Sequence, residues 1–112
     1  MMLSETVKRV GLTPLAQDAV DREINGAYCS DLLDDVLKNA KPADIWITNQ
    51  NHENCIAVAS LLDLSAIVLA GGIEPDEETV QKAAAEWVSL FTTDLPAFEV
   101  AGRLYELGVR AL

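Results

Sequence analysis

The chain has no run of about twenty apolar residues, the length a membrane-spanning helix needs; its most apolar stretches, IAVASLL and AIVLA, are far shorter. No membrane partner is expected. It is also poor in positive charge. Eight Lys and Arg stand against 18 Asp and Glu, giving a net charge of -10. A chain this acidic repels phosphate backbones, so nucleic acid is not an expected partner either. The acid falls on segments that read as helix surfaces: Asp34 and Asp35, Glu74 to Glu78, Glu86, Glu99 and Glu106. That describes a solvated surface, or else an acidic docking face for a basic protein partner. Cysteine is scarce, with only Cys29 and Cys55 and no CxxC. Two lone cysteines in a reducing compartment read as reduced core residues. The first residues, MMLSETVKRVG, lack a basic segment followed by an apolar one, so the expected location is cytoplasmic.

Catalytic motifs are missing too. There is no GxGxxG, and no GKS or GKT follows Gly71-Gly72, which disfavours a nucleoside triphosphate with Mg²⁺. There is no GxSxG, and no pair of buried carboxylates stands out, so neither a catalytic residue nor a cofactor is expected. The one histidine, His52, lies three residues before Cys55 with Glu53 beside it. The two could meet on a helical turn, yet a metal site would need further ligands. A small enzyme using His52 as base, with Cys29 or Cys55 as nucleophile, is one reading; a capping or loop histidine is the plainer one.

What is present is an alternation of apolar runs and amphipathic stretches. At 112 residues, half of them hydrophobic, the chain reads as a single domain over residues 1–112. Leu3, Val7 and Val10 recur at helical spacing, with Ser4 as the expected N-cap and Gly11 as the stop. Leu12 to Ala16 reads as extended at an edge, because of Pro14, and Gln17 to Arg22 as a turn back. Glu23 to Tyr28 is an expected strand. Ser30 is the expected cap of a helix whose stripe is Leu32, Leu33, Val36, Leu37 and Ala40.

The centre of the chain is Asp44 to Glu78. Ile45-Trp46-Ile47 lies in a strand Asp44 to Thr48, and Ala66 to Ala70 is a second. Both are continuously apolar, which suits strands covered on both faces. Cys55 to Leu62 between them is apolar nearly all round, as expected of a helix buried on more than one side, the second side being a possible subunit interface. Together they form a βαβ unit with parallel strands. Pro75 and the acids after it open the next helix, whose apolar face is Val80, Ala83, Ala84 and Trp87. Val88 to Phe91 is the last strand. Thr93 or Asp94 should cap the last helix, with Phe98, Ala101, Leu104 and Tyr105 inward. Trp46 and Trp87 both read as core. The expected fold is α/β, three layers, with a mainly parallel sheet flanked by helices.

Parallel strands put their C-terminal ends on one edge, where ligands bind in open α/β sheets. Four connections should meet there, and they supply the candidate ligand-binding residues Ser30, Asp31, Thr48, Asn49, Gln50, His52, Gly71, Gly72, Thr92 and Thr93. Amides, hydroxyls and two glycines that permit close backbone approach suit a small polar ligand. The same residue types also cap helices and close turns. None of the basic residues falls in these loops, so an anion would depend on helix N-termini and backbone N–H groups.

The run AIVLAGGIEPDEETVQKAAAEWVSLFTTDLPAFEVAGRL, with YCSDLLDDVLKNAKPADIWIT before it, resembles the DRTGG domain family from about Tyr28 to Gly108. The family shows a strand ending in Gly-Gly, a Pro-Asp step into a helix, and a strand leading to Thr-x-x-x-x-Phe-x-x-Ala. The Asp-Arg that partly names it is absent, since that place reads Thr48-Asn49-Gln50-Asn51-His52, while Gly71-Gly72 is kept. The resemblance implies a fold similar to the N-terminal domain of HPr kinase/phosphorylase. It also implies a non-catalytic regulatory or dimer-forming module, of the kind found inside some phosphotransacetylases and between the CBS domains of some pyrophosphatases. Some single-domain members are encoded near iron-only hydrogenases. The leading expectation is thus a homodimeric regulatory domain that senses a small polar metabolite or nucleotide. The alternative is an accessory protein-interaction subunit for a redox enzyme such as an iron-only hydrogenase system.

Overall fold

A strand with no polar face must be covered twice, and that requirement shapes the domain. In the computed structural model, which describes residues 1–16 and 20–111, β3 (Asp44–Thr48) and β4 (Ala66–Leu69) are buried along their whole length. They lie at the middle of a five-stranded sheet of order β1-β5-β4-β3-β2. The other strands are β1 (Thr13–Pro14), β2 (Gly26–Cys29) and β5 (Leu90–Thr92). β2, β3, β4 and β5 run parallel; β1 joins the β5 edge antiparallel. The short β1 with its proline blunts that edge.

Alternate residues of the central strands feed two cores. Trp46, Ile67, Leu69 and Leu90 pack with Val36, Ile56 and Ala83, from helices α2 (Leu33–Asn39), α3 (Glu53–Leu62) and α4 (Glu77–Ala85). Ile45, Ile47, Val68 and Phe91 pack on the other face with Leu3 and Val10 of α1 (Leu3–Val10) and Val100 and Leu104 of α5 (Ala97–Glu106). The expected three-layer α/β fold is therefore observed. Among the described residues no helix is long and apolar enough to cross a membrane. The expected turn Gln17 to Arg22 falls partly on residues 17–19, outside the described residues.

Several local expectations are corrected. The N-cap of α1 is Met2; Ser4 lies inside the helix and donates to Asp21 Oδ2 at 2.7 Å. Glu23 forms only an isolated bridge with Met2, so β2 starts at Gly26. β5 is shifted from the expected Val88 to Phe91 and covers Leu90–Thr92. Leu32 and Leu37 are exposed, leaving Leu33, Val36 and Ala40 as the working stripe of α2. α3 buries Cys55, Ile56, Val58 and Ala59 but leaves Leu61 76% exposed, so one side of it is uncovered. Phe98 and Tyr105 point outward, at 83% and 61% exposure, because Val100 and Leu104 take the inward positions of α5.

The largest departure is Trp87. It does not close the apolar face of α4; the helix ends before it. Val88 N–H donates to Ala83 O at 2.9 Å and Trp87 N–H to Ala84 O at 3.3 Å. This pattern puts Trp87 at the left-handed position that glycine usually takes, with φ 59°. For a residue with a Cβ that costs about 1–2 kcal/mol. The indole is 67% exposed, whereas Trp46 is fully buried and donates from Nε1 to Ser30 O at 2.8 Å.

Candidate functional site at the C-terminal edge of the sheet

The parallel strands bring four loops to one edge, as their direction requires. α2, α3 and α4 return along one face, but α5 leaves β5 for the other. Successive connections from β4 and β5 therefore part in opposite directions. In open α/β sheets such a parting is where a ligand crevice forms. Gly71 and Gly72 stand on one side of it, Thr92 and Thr93 on the other.

On the β2–β3 side, Asp31 gathers the neighbouring loop. Its Oδ1 accepts from Thr48 Oγ1 at 2.9 Å and from Asn49 N–H at 2.8 Å. Gln50 Nε2 donates to Asp31 O at 2.8 Å, and Gln50 N–H to Thr48 Oγ1 at 3.1 Å. Thr48 is buried, while Asp31 and Asn49 reach solvent. Ser30 is not the cap of α2: that place is held by Leu32, and Ser30 Oγ accepts from Leu32 N–H at 3.2 Å, a local turn. Asp31, Thr48, Asn49 and Gln50 thus form one connected cluster, and Ser30 stands beside it with its hydroxyl engaged by Leu32. Hydrogen bonds to a carboxylate are the stronger kind, so this corner is well held.

On the β4–β5 side the backbone makes the connections. Gly71 N–H donates to Leu95 O at 2.7 Å and Gly72 N–H to Thr93 O at 2.9 Å. Both glycines have positive φ, 76° and 74°, which the turn demands. Thr92 Oγ1 donates to Ile73 O at 3.1 Å. Thr93 Oγ1 accepts from Leu95 N–H at 3.2 Å, closing a turn rather than capping α5, whose N-cap is Pro96. Beside this junction lies a cleft of about 350 Å³ lined by Gly11, Thr13, Thr92, Thr93, Asp94 and Arg103. Arg103 escaped the sequence reading because it lies on α5, not in a loop. The packing of α5 against α1 carries it to the edge, where Nη1 donates to Val10 O at 3.3 Å. Nothing local in the sequence signals that.

The two corners are linked through the middle. Asn51 Nδ2 donates to Glu74 O at 3.1 Å, and Thr79 Oγ1 lies 3.2 Å from Asn51 O. His52 occupies the N-cap position of α3 without capping it by its side chain, and it is exposed. It lies near Asp76, whose carboxylate is held below its usual range chiefly by the hydroxyl and N–H of Thr79, with a smaller contribution from His52. Asp76 is a true N-cap, accepting from Thr79 N–H at 2.9 Å.

The thiols differ from the expected pair of core cysteines. Cys55 is buried, donates to Gln50 O at 3.3 Å, and is pushed up to about 11 by burial. A thiol so raised holds its proton at neutral pH and is a poor nucleophile. Cys29 is exposed at the end of the edge strand β2, and burial of part of its side chain followed by the nearby Asp31 raises it. Among the described residues no cluster of three or more His, Cys, Asp and Glu is placed to hold a metal ion.

The order of elements, the Gly-Gly turn after β4 and the Thr-Thr step at the end of β5 fit one family. The DRTGG domain matches residues 16–107. The chain belongs to the DRTGG domain family. No functionally curated protein matches it. A structure similar to this DRTGG domain is the crystal structure of the CBS and DRTGG domains of the regulatory region of Clostridium perfringens pyrophosphatase, complexed with its activator, diadenosine tetraphosphate. The two share 15% identity with a TM-score of 0.69, over 91% of this chain and 45% of the other. The chain thus spans less than half of that regulatory region, and the likeness is one of fold.

Proposed function

We propose that this DRTGG domain is a non-catalytic regulatory domain that senses a small polar ligand at the C-terminal edge of its sheet and acts as a homodimer. The reading rests on the junction where α4 and α5 part to opposite faces. Backbone N–H groups of Gly71 and Gly72 and the threonines at the end of β5, Thr92 and Thr93, cross it. A ligand seated there competes for those groups and shifts α4 against α5, which is what a sensor needs. The similar regulatory region that binds an activator supports the regulatory part by analogy of fold. The uncovered side of α3 around Leu61 supports the dimer.

A thermal-shift screen against nucleotides, acyl phosphates and common metabolites tests the sensor. A ligand at ~100 times its Kd adds about 2.7 kcal/mol, or roughly 10 °C in a domain of this size. The gain should shrink in Thr93→Ala and in Asn49→Ala or Gln50→Ala. A flat response across the screen counts against ligand sensing. Light scattering at micromolar concentration tests the dimer, and a monomer mass would end that part of the reading. The second reading, an accessory protein-interaction subunit of a redox enzyme, is favoured by the exposed Phe98 and Leu61 on an acidic chain. It requires a stoichiometric partner in pull-downs from the native host.

A further inference from the structure

The opposite edge of the sheet, where β4 and β5 begin, holds a second cleft of about 440 Å³. It shares no residue with the loops described above. Its apolar part includes Val20, Ala59, Leu64 and Val88, and Ser60 and Ser89 are among the residues that add hydroxyls. The lining also includes the paired Arg22 and Asp63, with Nη1–Oδ1 at 2.9 Å and Nη2–Oδ2 at 3.3 Å, and Trp87.

Trp87 is the informative residue. It holds a backbone conformation suited to glycine, and its ring stays mostly in water. The first lowers the stability of the folded domain by the cost of the left-handed backbone, and the second forgoes most of what burying the ring would contribute. Unfavoured backbone conformations persist where they serve a site. The cleft beside it is within the size range of small-molecule sites, which combine apolar walls with a few polar groups. An exposed tryptophan in the lining of such a cleft offers a stacking surface. The charge of the lining selects among rings. Arg22 is neutralised by Asp63, and Glu86 leaves the lining net negative, which disfavours phosphate.

We propose that this cleft binds an uncharged planar heteroaromatic ring of the nucleobase or nucleoside class, stacked on Trp87, with the polar edge of the ring toward Ser60, Ser89 and the Arg22–Asp63 pair. The site is separate from the C-terminal edge, so either can fail without the other.

The test uses the full ¹⁵N-labelled chain, in which Trp46 and Trp87 give two indole N–H signals. Adenosine, guanosine, cytidine and uridine are each titrated to millimolar concentration. At least one should shift the Trp87 signal saturably and leave that of Trp46 in place. Trp87→Gly should abolish the binding and raise Tm by a few degrees, because glycine relieves the left-handed backbone. Trp87→Asn, which also tolerates that conformation, should behave alike. No shift with any nucleoside would overturn the proposal. So would binding that survives in both variants, variants that are no more stable than the parent, or a Trp87 signal that moves with protein concentration instead, which would mark a contact between copies.

Discussion

The hub role of Asp31 sets a measurable stability. Asp31→Ala removes the acceptor of two hydrogen bonds, from Thr48 Oγ1 and from Asn49 N–H. Bonds to a carboxylate are each worth about 1.5–3 kcal/mol when both ends are sheltered. Asn49 is exposed, so water replaces the lost acceptor there and the cost falls to roughly 0.5 kcal/mol. Thr48 is 1% exposed, and its hydroxyl keeps only the accepted bond from Gln50 N–H. Its unpaired donor should cost about 1.5 kcal/mol. The sum is about 2 kcal/mol, or roughly 8 °C in Tm for a domain of this length. Urea unfolding with an unchanged slope would give the free energy directly. Asp31→Asn keeps an acceptor oxygen and should recover more than half of the loss. Asp34→Ala, an equally acidic and exposed position on α2, should change stability by less than about 0.5 kcal/mol. If Asp31→Ala matches Asp34→Ala, or Asp31→Asn is as harmful as Asp31→Ala, the loops are not held as described.

Asp44 sits at the start of β3 with Oδ1 buried and unpartnered among the described residues, and burial raises it above the usual carboxylate value. A carboxyl raised in the fold binds its proton more tightly there than in the unfolded chain, so its contribution to stability falls as pH rises from the unfolded value through the raised one. Asp44→Asn should therefore be more stable than the parent at neutral pH in thermal melts, with the difference vanishing below pH ~3. Asp63 behaves oppositely: Arg22 holds it low, so its contribution is full at neutral pH and is lost as pH falls through the depressed value. The pair is largely exposed, and Arg22→Ala should cost less than about 1 kcal/mol in urea unfolding. A thiol reagent near pH 8 should label one cysteine quickly in the native protein, and Cys29→Ser should remove that phase, since Cys55 is buried and raised to about 11.

The sequence by itself determined the layers and the strand direction. Ile45-Trp46-Ile47 and Ala66 to Leu69 have no polar position to turn toward water, so they had to be covered on both faces, and the helix between them made the strands parallel. Asp76 opened α4 by capping it through its own carboxylate, with Pro75 just outside the helix rather than in its first turn as expected, and Gly71-Gly72 allowed the turn after β4. These features depend on neighbours in the chain and are legible there. Only the tertiary structure decided which side of each helix the sheet covered. Phe98 is as apolar by type as Val100 and Leu104, and Tyr105 shares their helical spacing, but a helix meets the sheet along one stripe, and the position of α5 chose it. The same holds for Trp87, whose helical spacing was overridden when α4 ended at Ala85, two residues before it. At the candidate site, the polar loops were visible as composition, but not their pairing. That Asp31 would serve Thr48 and Asn49, or that Arg103 would come to the edge from α5, depends on residues far apart in sequence being held together by the two cores, and no local pattern encodes that distance.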